Sequence, residues 1–109
     1  MPRLPVPSES AIRDWTGEAS FGRGRSCFRD GAVVQARRQD KTLKAQCFGS
    51  PPQPYRVEAA LGSGGIAGAR CPCPVGGGGR CKHVAAMLLA WRKDPDSFSE
   101  VQDPRALGD

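Results

Sequence analysis

"CPCPVGGGGRCKH", Cys71 to His83, gathers three of the five cysteines and the single histidine of a 109-residue chain into thirteen residues. Prolines interleave the first two cysteines of this stretch, and four glycines precede the third. The spacing is Cys-x-Cys, seven residues, then Cys-x-His. A structural zinc ion takes four nitrogen or sulfur ligands in a tetrahedron, and three Cys with one His is an accepted set. Pro72 and Pro74 restrict φ and lower the entropy lost when the chain turns to bring both sulfurs to one ion. The glycines reach φ > 0, so the spacer can close over a small radius. The predicted ligands are therefore Cys71, Cys73, Cys81 and His83, holding one structural Zn²⁺.

Other readings of the cluster are physically weaker. A Cys71–Cys73 disulfide would close a strained ring and would need an oxidising compartment. A cysteine nucleophile with His83 as its base lacks an evident group to orient the imidazole. A redox or iron–sulfur centre would use a similar soft ligand set. Catalytic zinc keeps one of its four positions for water, whereas this motif supplies four protein ligands. The expectation is thus a binding module that is not an enzyme and has no catalytic residue. Three thiolates and one Zn²⁺ sum to −1, which takes the formal charge from +5 to +4. Cys27 and Cys47 stand apart beside Phe28 and Phe48, and are expected as small buried hydrophobes.

Outward from the cluster, the pattern of apolar residues changes period. "CKHVAAMLLAWRKD" places Val84, Met87, Leu88 and Trp91 at helical spacing, which predicts an amphipathic helix of about three turns. Cys81 and His83 fall in its first turn, where the helix N-terminus favours thiolate. Arg92 and Lys93 suit its C-terminus, and Pro95 stops it. Upstream, "YRVEAAL" alternates Tyr55, Val57, Ala59 and Leu61 against Arg56 and Glu58, as a strand does. "GSGG" (62–65) is a turn and "IAGARCPC" a returning strand. "KTLKAQCFG" alternates Leu43, Ala45 and Cys47 against Thr42, Lys44 and Gln46. "SPPQP" (50–54) breaks the strands. "SCFRDGAVVQARRQ" predicts a hairpin about Asp30-Gly31. "GRGRS" (22–26) reads as a loop. Ser8 or Ser10 caps a short helix over 9–16, with Ile12 and Trp15 on one side, and residues 1–8 form an extended arm.

The fold class predicted is α+β: short antiparallel strands followed by one C-terminal amphipathic helix, a zinc-stabilised ββα arrangement. The segments are an N-terminal arm and short helix (1–20), a strand hairpin region (21–50), the finger (53–93) and a polar, irregular tail (94–109). Glycine and proline together make 24 of 109 residues, which predicts many turns and a thin core in need of a metal. No apolar run approaches the ~20 residues of a membrane span, and no signal-peptide core is present in "MPRLPVPSES". Cytoplasmic location is the expectation, with no membrane partner and no small-molecule substrate.

The arrangement Cys71-x-Cys73…Cys81-x-His83, running at once into "VAAMLLAW", resembles the SWIM-type zinc finger. That family's pattern is Cys-x-Cys, a variable spacer, then Cys-x-His leading into an Ala/Leu-rich helix. "PYRVEAAL" is similar to the strand that precedes it, and "FGRGRSCFRDGAVV" more loosely resembles the segment upstream in bacterial members. The resemblance covers about residues 53–92, and none of the four ligands departs from it. It implies a ββα zinc module that binds DNA or other proteins. Such fingers occur in bacterial helicase-like remodelling ATPases, plant transposases and some ubiquitin-pathway proteins. The chain carries no phosphate-binding loop of its own. It would then be the N-terminal module of such an ATPase, its partner, or a small free-standing protein.

Charge bears on the choice between the two kinds of partner. Lys and Arg number 16 against 11 Asp and Glu, giving +5, and twelve of the sixteen are Arg. Arg makes planar, bidentate contacts to phosphate and guanine. The candidate nucleic-acid contacts are Arg70, Arg80 and Lys82 near the cluster, Arg37, Arg38, Lys41 and Lys44 on the strand pair, and Arg23 and Arg25 in the glycine loop. Arg70, Arg80 and Lys82 would equally offset the negative metal site. Arg37 and Arg38 point to opposite faces of a strand, so at most one joins a continuous patch. No Arg, Asn or Gln projects from the helix before Arg92, so binding without sequence preference is expected, mainly to DNA backbone. The alternative is a protein-interaction module that docks through its apolar helix, with Leu89 and Trp91 at the contact.

Overall fold

The computed structural model describes residues 6–39, 41–47, 55–62, 65–71 and 80–101. Its elements in chain order are α1 (Glu9–Thr16), α2 (Glu18–Arg29), β1 (Val33–Gln39), β2 (Thr42–Cys47), β3 (Tyr55–Gly62), β4 (Gly65–Arg70), α3 (Lys82–Lys93), a 3₁₀ turn at Pro95–Ser97 and β5 (Ser99–Val101). The α+β class is as predicted. Five strands form one sheet in the order β4-β3-β2-β1-β5. The first four pair antiparallel, and β5 lies parallel to β1.

Local chemistry sets the first helix as expected. Ser8 is its N-cap, with extended φ/ψ, and its hydroxyl accepts from the Ala11 amide at 3.1 Å. The segment after it departs from the sequence reading. "GRGRS" is no loop; it lies inside α2. Asp30-Gly31 is no hairpin turn either; it ends that helix. The Gly31 amide donates to the Phe28 carbonyl at 3.1 Å and the Ala32 amide to the Cys27 carbonyl at 3.0 Å, the paired bonds of a Schellman motif. Gly31 sits at φ +76° in the position that demands it. An Asp-Gly pair signals positive φ, and both structures need that. Gly31→Ala is expected to cost about 1–2 kcal/mol, read as a shift of the urea midpoint.

Leu43, Ala45 and Cys47 of β2, and Val57, Ala59 and Leu61 of β3, point to one side and are buried, as their alternation predicts. On that side lies α3, against β1, β2 and β3. α2 packs along α3, and α1 touches both helices and β4. Consequently α3 is buried all round from His83 to Trp91. The predicted amphipathic helix is a central one, because a second helical layer covers the side turned away from the sheet. The core is correspondingly thicker than the glycine and proline content predicts: one contiguous cluster runs from Ile12 to Phe98. The start of the tail is ordered too. Phe98 is buried edge-on against Trp91, ring centroids 5.2 Å apart, and delivers β5 to the sheet. The "SPPQP" break and the rest of the tail lie outside the described residues, as do most of the N-terminal arm and Ser63 and Gly64 of the turn.

The two-layer arrangement leaves the other side of the sheet without a covering element among the described residues. Register fixes what stands there. Arg37 lies opposite Lys44, Lys44 opposite Glu58, and Glu58 opposite Arg70, while Gln46 lies opposite Arg56. A bulge in β1 between Val34 and Arg37, with Gln35 at φ +52°, places three steps of β1 against two of β2. It reverses the alternation, so that Arg37 shares the outer face with Lys44 while Arg38 pairs with buried Leu43 on the helical side.

Candidate metal centre

β4 ends at Arg70, and Cys71 follows at once; α3 begins at Lys82, with Cys81 as its N-cap and His83 its second residue. The end of a strand and the start of a helix thus present their side chains to one point. Cys71, Cys81 and His83 are all buried, and their ligand atoms lie within 4.8 Å of one another. The His83 Nδ1 is 3.7 Å from Cys71 Sγ and 3.9 Å from Cys81 Sγ. Tetrahedral zinc with ordinary bond lengths sets its nitrogen and sulfur ligands about 3.6 Å apart and its sulfurs about 3.8 Å apart. The two nitrogen–sulfur distances therefore stand close to the edge lengths that the ion requires, and the two sulfurs lie within 4.8 Å of each other. Nδ1 is the imidazole nitrogen that faces the sulfurs. Nε2 is buried, with no hydrogen-bond partner among the described residues. The donor set, its burial and its spacing fit a structural zinc ion. Cys73, the fourth predicted ligand, lies outside the described residues.

The backbone at the site helps in two ways. Cys81 has extended φ/ψ and its carbonyl accepts from the Ala85 amide at 3.1 Å, so α3 starts immediately at the ligand. The amides of that first turn favour a thiolate close by. Tyr55, at the start of β3, lays its ring against His83, centroids 4.9 Å apart and planes at 39°. That contact limits rotation of the imidazole. The sequence reading missed it, since Tyr55 is recorded there only as one more alternating strand residue.

The predicted basic residues do not form one surface. Arg37, Lys44 and Arg70 share the outer sheet face, and exposed Arg56, absent from the sequence prediction, joins them. Its place on the same side as Glu58 in the alternation of "YRVEAAL" carried that signal. Arg38 faces the helical side and is corrected out of the patch. Lys41 is exposed in the β1–β2 turn. Arg23 and Arg25 are exposed on α2, in the helical layer. Lys82 is half-buried in the first turn of α3. Arg80 stacks its guanidinium 4.7 Å above the Trp15 ring centroid and donates from Nη1 to the Trp15 carbonyl at 3.1 Å. Cys47 is buried in the apolar core as expected, whereas Cys27 is only half-buried against it, and neither joins the metal cluster.

Leu89 and Trp91, offered above as a docking face, are 6% and 4% exposed. Both belong to the internal core, so α3 has no apolar face left for a partner. Among the described residues no helix is long and apolar enough to cross a membrane.

Comparison with known families agrees with the geometry. The family model of the SWIM zinc finger matches residues 55–92, from Tyr55 through β3, β4 and the ligand cluster to Arg92 in α3. No curated protein and no solved structure matches the chain. The matched segment 55–92 is preceded in the chain by two helices and two strands that lie outside the match.

Proposed function

We propose that this chain, with a SWIM zinc finger at residues 55–92, is a non-catalytic module that grips DNA through phosphate contacts, without reading base sequence. One observation carries the reading: the outer face of the sheet collects Arg37, Lys44, Arg56 and Arg70 around Glu58, the one carboxylate among the described residues in that register. Arg37 and Arg70 are three strand spacings apart, about 14 Å across the sheet. Between strands β1 and β3 the side chains of Gln35, Arg37, Lys44, Gln46, Arg56 and Glu58 line a shallow groove of about 300 Å³. Among the described residues Arg37, Arg56 and Arg70 have no carboxylate within ion-pairing distance. Guanidiniums held on a rigid sheet and left to solvent suit bidentate phosphate contacts. The zinc ion supports this surface indirectly, by joining β4 to α3.

A helicase-like remodelling ATPase, linked to the module or bound by it, is the proposed host. A sequence-blind hold on the duplex serves such an engine, which must act at many sites. Thiolate ligands call for reducing surroundings, in keeping with a cytoplasmic place.

Titration of the zinc-loaded protein with duplex DNA at two salt concentrations tests the proposal. Binding is expected to weaken steeply with salt, log K falling about 0.9 per phosphate neutralised for each unit of log salt. Changing Arg37, Arg56 and Arg70 together to Gln is expected to reduce that slope by up to about 2.7 if each meets one phosphate. Arg23→Gln with Arg25→Gln, on the helical side, is expected to leave it unchanged. An absence of binding at low salt, or an unaltered slope in the triple variant, refutes the reading.

A further inference from the structure

The two helices that precede the sheet lie outside the matched residues 55–92, yet they press on the metal site from behind. The closest approach is at Gly24, buried in the middle of α2. A Cβ placed there would stand 2.5 Å from the Ala85 Cβ, 2.8 Å from the Lys82 carbonyl oxygen and 3.0 Å from the Ala86 amide nitrogen. Two of those three atoms are backbone, so no side-chain rotation relieves the contact. The Lys82 carbonyl belongs to the peptide that leads into His83, between the two ligands of the helix. α2 therefore touches the stretch of chain whose depth sets where Cys81 Sγ and His83 Nδ1 meet Cys71. A second grip lies one residue before the cluster: Arg80, stacked on Trp15 and bonded to its carbonyl, ties the approach to Cys81 to the end of α1.

We propose that α1 and α2 are positioning elements of the metal centre, with Gly24 seating the first turn of α3 and Arg80–Trp15 holding its entrance. The absence of a side chain at Gly24 lets two helix backbones meet at a distance that only glycine allows. A rigid backstop at that point turns three soft ligands into a set at the right spacing before the ion arrives, which is how a supporting shell sharpens a site. The inference concerns the fold around the ligands and stands apart from whether the module binds DNA.

Cobalt replaces zinc in such a site and reports ligand geometry in its visible bands. Gly24→Ala should displace α3 and is expected to weaken or shift those bands. It should also lower metal retention against a competing chelator at least tenfold relative to a control of equal thermal destabilisation. Ile12→Val, a fully buried change in α1 away from the ligands, is the starting point for that control. A spectrum identical to the parent's, with retention equal to the matched control's, overturns the proposal, because a merely structural loss would behave that way. If Gly24→Ala does not fold, the Arg80 pair decides. Arg80→Gln is expected to speed metal release severalfold and Arg80→Lys, which keeps a cation over Trp15, to restore much of the retention. Release unchanged in Arg80→Gln, or equally fast in both, overturns it.

Discussion

Treated with a strong chelator, the protein is expected to lose its cooperative thermal transition, and α3 with it. Cys71, Cys81 and His83 are 5%, 1% and 3% exposed. Without an ion the buried imidazole of His83 keeps an Nε2 with no partner among the described residues, and an unpaired buried polar group costs about 1–3 kcal/mol. With the ion, the site contributes folding free energy directly: about 10–16 kcal/mol in zinc-finger peptides, against about 5–15 kcal/mol for the whole stability of an ordinary domain. The structure widens the consequence. The damage reaches beyond Cys71 and the helix, because α3 contacts α1, α2 and three strands. Its release opens the core everywhere. Elemental analysis of the reduced protein should return one zinc per chain, and far-UV circular dichroism should show helix lost on chelation and regained on adding zinc. Cys81→Ser is expected to reproduce the loss. A chelator-treated sample that melts as the loaded protein does would contradict the metal's structural role.

Trp91→Ala is expected to destabilise the loaded protein by about 3–5 kcal/mol, the usual range for removing a buried large aromatic side chain. For a domain of this size that corresponds to a fall in Tm on the order of 15 °C or more. Trp91 fills the end of the core and carries the edge-on contact with Phe98 that returns β5 to the sheet. Its loss should therefore also release β5, seen as faster amide exchange in Arg38 and Gln39, which lie beside that strand. Arg92→Ala, one residue on and exposed, should stay within about 0.5 kcal/mol. Had Trp91 been a docking residue, the isolated protein would tolerate its removal almost as well as that of Arg92, so the pair of melts separates the two roles.

Where a residue's neighbours in sequence are also its neighbours in space, the reading succeeds. The alternation of β2 and β3, the serine cap of α1, the start of α3 at its ligands and the grouping of Cys71 with Cys81 and His83 are encoded in short stretches, and the structure has each of them. The segment 22–31 fails for a physical reason. Glycine there signals either a flexible turn or a close approach, and composition does not distinguish them. Gly24 is glycine because another helix backbone lies against it, and Gly31 because a helix ends there. The partner of the first is Ala85, sixty-one positions away.

The same division governs the surface. That twelve arginines and a thiol–imidazole cluster reside in one small chain is a property of the sequence, and so is the chemistry those groups favour. Which arginines stand together was settled by pairing: a one-residue bulge at Gln35 turns Arg37 outward and Arg38 inward, and the strand register then aligns Arg37, Lys44 and Arg70 across four strands. Likewise the apolar face of α3 is a sequence property, but whether it meets a partner or the chain's own α1 and α2 depends on contacts between distant segments. Ligand type and strand period are encoded within a few residues. Face, depth and company come from long-range packing, where a single inserted residue reverses a side chain's direction.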